Sequence, residues 1–307
     1  MIFSEIEAHI QNIAGNAALQ NEKNFDARTD AIDFLDFHIL DQIETLRNVE
    51  PYQDGLTTLQ QQAEEVKLQL EEIDNKLFKR LQQKIKHKKY SGDEFEALVR
   101  EYVNFENCHL DEEGYDNLDI FINRLLSIGD MPEQSRSLEP EMVFYQKTPA
   151  RIAFDLVKEA GLTKGDVFFD IGSGLGQVAM LVNLLTGTQT VGVEFDPAFC
   201  KYSKECAAVL GLQDVSFINA DARSADYSGG TVFFMYTPFR GKILQNVLGI
   251  LRKESLKREI RIITYGPCTH EVATQDWLYP VSGDEFKTTR HAVRWLADQS
   301  SHHKSIR

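Results

Sequence analysis

The chain has 307 residues, 42% apolar and 26% charged, a composition that excludes disorder throughout and leaves room for about two cores. It holds no run of about 18 apolar residues, and carboxylates stand at Glu5 and Glu7 where an export signal has a basic flank. Neither a membrane span nor secretion is expected. Of the net charge of −14, almost all lies in the first half: residues 1–140 carry 14 Lys+Arg against 29 Asp+Glu, and residues 141–307 carry 19 against 18. An acidic half repels phosphate backbones and attracts basic partners, although a solvated acidic surface explains most such excesses. The four cysteines form no CxxC pair, so no metal site and no disulfide framework are expected, and a reducing, cytoplasmic setting is the default.

In chain order, Ile32, Leu35, Ile39, Ile43 and Leu46 repeat at helical spacing. From Leu56 to Ile85 an apolar residue recurs every three or four positions, which predicts one long amphipathic helix whose stripe packs in an intramolecular bundle. Lys84 to Lys89 is a basic run suited to a helix end. Ser91-Gly92-Asp93-Glu94 has capping-box spacing and predicts a helix over residues 93–105. A further helix is predicted from Leu118, Phe121, Ile122 and Leu125. The acidic stretch from Asp111 to Asp116 does not keep the alternate acids of a calcium loop. No catalytic spacing occurs in this half, so residues 1–135 are read as a helical N-terminal domain.

A Pro, Ser and Glu rich stretch from Asp130 to Pro140 reads as a linker or surface crossing. Beyond it, short β-rich runs alternate with helical ones: 167–171, 190–194, 215–219, 231–236 and 260–264. This predicts an α/β fold with a doubly wound parallel sheet over about residues 136–300. Two further runs, 277–281 and 291–297, have no helix between them and predict an antiparallel hairpin at one sheet edge.

The chemistry centres on Asp170-Ile171-Gly172-Ser173-Gly174-Leu175-Gly176-Gln177, which follows a buried strand and opens a helix. Glycines there let the backbone turn sharply and approach a ligand. The spacing is GxGxG rather than the GxGxxG of dinucleotide sites. Glu194 closes the next strand about 20 residues on, where a carboxylate can accept bonds from two ribose hydroxyls. Asp221 and Ala222 follow the third strand, where a carboxylate and a backbone amide can read an adenine edge.

These residues resemble the class I S-adenosylmethionine-dependent methyltransferases over roughly Tyr145 to Asp298. The resemblance implies a Rossmann-like seven-stranded sheet with the last strand antiparallel and S-adenosyl-L-methionine as cofactor. It also implies that Asp170, Gly172, Ser173, Gly174, Gly176 and Gln177 lie near the methionyl part, Glu194 on the ribose, and Asp221 with Ala222 at the adenine. Tyr145-Gln146-Lys147-Thr148-Pro149, with the glycine loop and Gly192-Val193-Glu194, is similar more narrowly to the non-SET histone lysine methyltransferases named for disrupted telomeric silencing. That likeness implies that Tyr145 and Thr148 reach over the cofactor. Thr148-Pro149 also suits the cap and first position of a helix over residues 150–160. Where that family has an asparagine-rich segment after the fourth strand, this chain has Tyr236-Thr237-Pro238-Phe239.

Tyr236-Thr237-Pro238-Phe239 matches only the proline and aromatic of the Asn-Pro-Pro-aromatic motif of amino-methylating enzymes. It offers a hydroxyl, backbone carbonyls and an aromatic face, so Tyr236, Thr237 and Phe239 are taken as the acceptor side, with a tight buried turn as the alternative reading. His270, after the fifth strand, could remove a proton, although a lone loop histidine is more often surface. Three functions fit: a methyltransferase for a side-chain amine of a basic protein, one for a small molecule with the helical half as lid, and a non-catalytic binding module. Nucleic acid is disfavoured, since neither half is markedly basic. The methyl acceptor and the oligomeric state stay open on the sequence.

Overall fold

The computed structural model describes residues 2–49, 53–87, 90, 92–105, 115–282 and 285–287. Lys88, Lys89, Ser91, most of the acidic stretch at 111–116 and the expected strand at 291–297 lie outside these residues. The chain forms two compact units, one of residues 1–85 with 96–125 and one of residues 86–95 with 126–307.

The first unit is helical. It runs through α1 (Ile2–Ala14), a 3-10 turn (Ala17–Gln20), α2 (Phe25–Phe34), a π-helical segment (Leu35–Leu40), α3 (Asp41–Val49) and α4 (Gln53–His87). Part of α5 (Asp93–Arg100) and α6 (Asn117–Leu125) complete it. The stripe predicted for α4 is buried at Leu56, Leu59, Ala63, Val66, Leu70, Leu77, Leu81 and Ile85, because residues three or four apart share one face of a helix. Ile6, Ile10, Leu35, Ile39 and Ile43 pack against its first half. Rings of Phe25, Phe78 and Phe121 meet beside its second half, with centroids 5.1 to 5.7 Å apart. Arg28 lies under the same layer, fully buried. It donates to Asp74 at 2.6 Å and to the carbonyls of Leu19 and Asn21, thereby satisfying the end of the 3-10 turn. α5 stops at Arg100 instead of continuing to 105, and residues 101–103 turn back while still burying Tyr102 and Val103.

The second unit carries the sheet. Its elements are α7 (Ala150–Ala160), β1 (Val167–Ile171), α8 (Gln177–Thr186), β2 (Gln189–Glu194), α9 (Pro197–Leu210), β3 (Val215–Asn219) and β4 (Val232–Tyr236). Then come α10 (Gly241–Ser255), β5 (Arg261–Tyr265), α11 (Cys268–Ala273), β6 (Tyr279–Ser282) and β7 (Glu285–Lys287). The strand order is β3-β2-β1-β4-β5-β7-β6. Strands β1 to β5 are parallel, and β7 is antiparallel to both β5 and β6. Alternate side chains of β4 serve the two faces: Phe233 and Met235 join the core under α10, and Val232 and Phe234 the core under α7 and α8. α8 is buried from Gln177 to Leu185, as a helix apolar all round must be.

Two expectations shift. The hairpin pairs β6 with β7 at Glu285–Lys287, ahead of the strand expected at 291–297; the Gly283-Asp284 dipeptide between them is a turn signal that the sequence reading passed over. Ala150 opens α7 with Pro149 at the cap position and no side-chain cap, so Thr148 is not the N-cap.

Candidate functional site

All five parallel strands deliver their carboxyl ends to one edge, and the register places Ile171 opposite Val193, Glu194 opposite Asn219 and Tyr236 opposite Tyr265. The loop after β1 is anchored to β2, since the amides of Gly172 and Ser173 both donate to Val193 O at 2.9 and 3.1 Å. Gly174 has φ +52°, and a Cβ there would lie 2.1 Å from the ring of Tyr145. Gly172 has φ +82° and faces Pro238 as closely, at 2.3 Å. Gly176 has φ +80°, and a Cβ there would lie 2.4 Å from the ring of Phe217 and 3.0 Å from Ser203, so backbone conformation and packing both call for glycine.

Two carboxylates converge behind the loop. Glu194 accepts the amide of Gly174 through Oε2 and that of Asp196 through Oε1, both at 2.8 Å. Each oxygen retains room for a second donor. Burial pushes Glu194 up to about 7 against the pull of these amides, and the nearby charge of Asp196 adds to the rise. Burial likewise raises Asp170 to about 7, opposed by the Ala179 amide of α8 and reinforced by the charge of Glu194. Among the described residues, buried Asp170 Oδ2, Ser173 Oγ and both polar atoms of the Gln177 amide find no hydrogen-bond partner. That cluster within eight residues is unusual, because buried polar groups are otherwise nearly always paired.

A strand-free stretch, residues 130–149, is laced across the same edge. Asp196 caps α9 by accepting from Ala198 N and also accepts from Ser135 N, Ser135 Oγ and Arg136 N at 2.7 to 2.9 Å. Burial would raise this carboxyl, but these donors outweigh it and hold it below its ordinary range. Arg223 grips Asp221 through Nε at 2.9 Å and Nη2 at 2.6 Å, and grips Glu139 of the stretch through Nη1 and Nη2 at 3.1 and 2.5 Å. The Arg223 guanidinium lowers the Asp221 carboxyl. Glu141 accepts from Ile243 N at the start of α10, Val143 N donates to Pro238 O, and Met142 bridges to Phe239. The Tyr145 ring then closes over Gly174 with its edge on Phe199, centroids 5.4 Å apart. Thr148 follows in the loop that enters α7.

The structure thus brings together Tyr145, Asp170, Gly172, Ser173, Gly174, Gln177 and Glu194, and it holds Asp221 and Ala222 at the next strand end. The Tyr236 to Phe239 segment divides its labour. Tyr236 is half-buried at the sheet edge with its ring 5.3 Å from that of Tyr265. Thr237, at φ +39°, spends its hydroxyl on donating to Tyr265 O at 2.8 Å and accepting from Cys268 N at 3.2 Å. Phe239 is 5% exposed and belongs to the core under α10. His270, expected in a loop, sits exposed on α11. Sequence reasoning missed Arg223, Glu139, Arg136 and Phe217; Arg223 and Glu139 meet across 84 positions, a separation that leaves no periodic signal.

A parallel sheet ending in an antiparallel β7-β6 pair, with a glycine loop after β1 and an acid closing β2, defines a class I S-adenosylmethionine-dependent methyltransferase. The sequence model of the histone methylation protein DOT1 family matches residues 141–299, just over half of the chain, and the chain belongs to that family. It is also similar to a sterol 24-C-methyltransferase of Eremothecium gossypii, 32% identical over 88 residues, covering 28% of this chain and 24% of that one. The chain therefore spans about a quarter of that relative's length. Among solved structures, an RNA methyltransferase from Salinibacter ruber in complex with S-adenosyl-L-homocysteine is 22% identical. That match covers 46% of this chain and 91% of that one, with a TM-score of 0.34. A precorrin-6y C5,15-methyltransferase from Geobacter metallireducens is 14% identical, covering 48% and 89%, with a TM-score of 0.37. No helix among the described residues is long and apolar enough to cross a membrane, and those residues hold no group of three or more His, Cys, Asp or Glu suited to a metal ion.

Proposed function

We propose that this methyltransferase acts on a side-chain amine of a basic protein, through a catalytic domain spanning residues 136–300 that is preceded by a helical domain of residues 1–135. S-adenosylmethionine supplies a methyl group already activated by its positive sulfur. The Gly172 to Gly176 loop, Asp170 and Gln177 hold the methionyl part. Glu194 receives the ribose hydroxyls on its remaining lone pairs, Asp221 and the Ala222 amide face the adenine, and Tyr145 and Thr148 cover the crevice. The observation that carries this reading is the pair of buried carboxylates, both lifted to about 7, beside four buried polar atoms without partners. A cationic, hydroxyl-bearing ligand relieves both deficits at once.

Tyr236 lines the acceptor side. Thr237 and Phe239 fix the loop that presents it, Thr237 through its two hydrogen bonds and Phe239 through its ring in the core. The chain's part in the reaction is then to align the amine with the methyl and exclude water, an effect worth on the order of 7 kcal/mol in well-aligned cases. Membership of the DOT1 family and the acidity of residues 1–140 favour a basic protein acceptor. The test incubates the protein with radiolabelled methyl donor and fractionated lysate. Label in basic proteins, with turnover on basic peptides falling as salt is raised, is the expected outcome. Label in small molecules overturns the acceptor, and absence of S-adenosylhomocysteine release overturns catalysis.

A further inference from the structure

The helical unit contains a groove that the methyltransferase reading leaves unused. Its volume is ≈ 470 Å³, and its lining includes Glu5 and His9 of α1, Phe34 of α2, Phe37 and His38 of the π segment, and Asp41 of α3. The rings of His9, Phe34 and His38 form a ladder, with successive centroids 5.3 and 5.1 Å apart. Phe37 is 67% exposed. Burial of so large an apolar ring is favourable, and its exposure beside the groove leaves an aromatic face open to a partner. Along the π segment Leu35 and Ile39 stay in the core while Phe37 and His38 emerge on the groove side, and π turns inside helices are frequent at functional sites.

The charge around the groove has one dominant sign. Residues 1–49 carry nine acidic against three basic side chains, and one of the three, Arg28, is consumed in the buried pair with Asp74. On the same helical stretch, burial and then the neighbouring charges of Asp30 and Asp36 push the Asp33 carboxyl above its ordinary range, with only Lys67 opposing. Aromatic faces flanked by carboxylates attract ammonium and guanidinium groups and repel phosphates. We infer that this groove binds lysine or arginine side chains of a basic polypeptide segment, their cations seated between the Phe34 and Phe37 rings and the Glu5 and Asp41 carboxylates. Binding there requires no methyl transfer; that the bound segment belongs to the methyl acceptor rests on the reading above.

The test is fluorescence anisotropy of labelled decalysine with the full chain at low salt. Saturable binding is expected, weakened about 3-fold by Phe37→Ala, the loss of one cation–π contact. The double change Glu5→Gln with Asp41→Asn is expected to weaken it about 5-fold, an effect that shrinks at high salt because exposed charges are screened. All three substituted positions lie outside the cofactor crevice, so calorimetric affinity for S-adenosylmethionine stays at the parent value. Glu194→Gln does the reverse, losing cofactor affinity while keeping decalysine, so the groove and the crevice fail separately. The inference is overturned if decalysine does not bind, if it binds the groove variants as it binds the parent, or if decaglutamate or an oligonucleotide binds as well. It is equally overturned if Phe37→Ala alters only a concentration-dependent self-association.

Discussion

In the helical unit the buried carboxylate of Asp74 meets Arg28 at 2.6 Å and Arg124 at 3.0 Å. In the sheet unit Asp170 and Glu194 are buried nearly as fully, and among the described residues neither has a cationic partner. A buried ion is expensive unless it is paired. Asp74 is paired within the fold, although burial still outweighs the two guanidiniums and holds its carboxyl above the ordinary range; Asp170 and Glu194 have only amide hydrogens to offset theirs, a difference that fits the ligand-binding role proposed for them. The contrast is one of pairing: a guanidinium faces the buried acid of the helical unit, and backbone amides face those of the sheet unit.

The largest test of that contrast removes one acid from each unit. Asp74→Ala should destabilise the helical unit by about 3 to 5 kcal/mol, since Arg28 is then buried without its partner, and chemical denaturation should read this directly. Asp170→Asn should leave unliganded stability at pH 8 unchanged or higher, because there the ionised acid is the costly form. Equal losses in both variants would erase the distinction. Gly174→Ala comes next. The new Cβ would sit 2.1 Å from the Tyr145 ring at a backbone φ of +52°, so we expect cofactor affinity to fall by more than about tenfold together with roughly 1 to 3 kcal/mol of strain. Normal calorimetric binding by this variant would remove Tyr145 from its place over the loop.

Glu194→Gln should weaken cofactor binding by about 1 to 3 kcal/mol through the loss of charge-assisted hydrogen bonds. The pH dependence follows from the same residue and from Asp170. Both are raised to about 7 in the unliganded fold, above the roughly 4 of an unfolded chain. Their contribution to stability is therefore complete below about pH 4 and is lost as pH rises through about 7. A sulfonium ligand favours the ionised acids, so its binding releases protons below that point. The thermal shift produced by saturating S-adenosylmethionine should then be larger at pH 8 than at pH 6, and larger in its pH dependence than that of S-adenosylhomocysteine, whose sulfur carries no charge; scanning fluorimetry with the two ligands measures both. The smallest effect belongs to Arg223→Met. That side chain is about 30% exposed, so loss of its grip on Asp221 and Glu139 should cost cofactor affinity only about 1 kcal/mol, diminishing in high salt.

Much of the fold was legible because apolar spacing reports which face of an element is buried. β1 and β3 fall on the predicted residues, and the α4 stripe is buried as read. The π segment was not legible, since an apolar residue every three or four positions suits an α-helix and a single wider turn alike. In the site, the glycine loop and Glu194 could be read from their place after strands. The segment proposed for the acceptor side could not be divided into its roles from sequence: Thr237 and Phe239 have suitable chemistry, but whether a hydroxyl is spent on Tyr265 or a ring enters the core depends on elements folded from elsewhere.

What the amino-acid order determined alone is local: strand and helix identity, the backbone freedom of Gly172 and Gly174, and the surplus of acid in the first half. These depend on neighbours a few residues away, through side-chain periodicity and the absence of a Cβ. Tertiary structure decided which polar groups would be left without partners. Arg223 reaches Glu139 across 84 positions, Ser135 reaches Asp196 across 61, and Arg28 reaches Asp74 across 46. Only the folded chain determines that Asp74 receives a guanidinium while, among the described residues, Asp170 and Glu194 receive none, because the energy of a buried charge is set by what surrounds it in space.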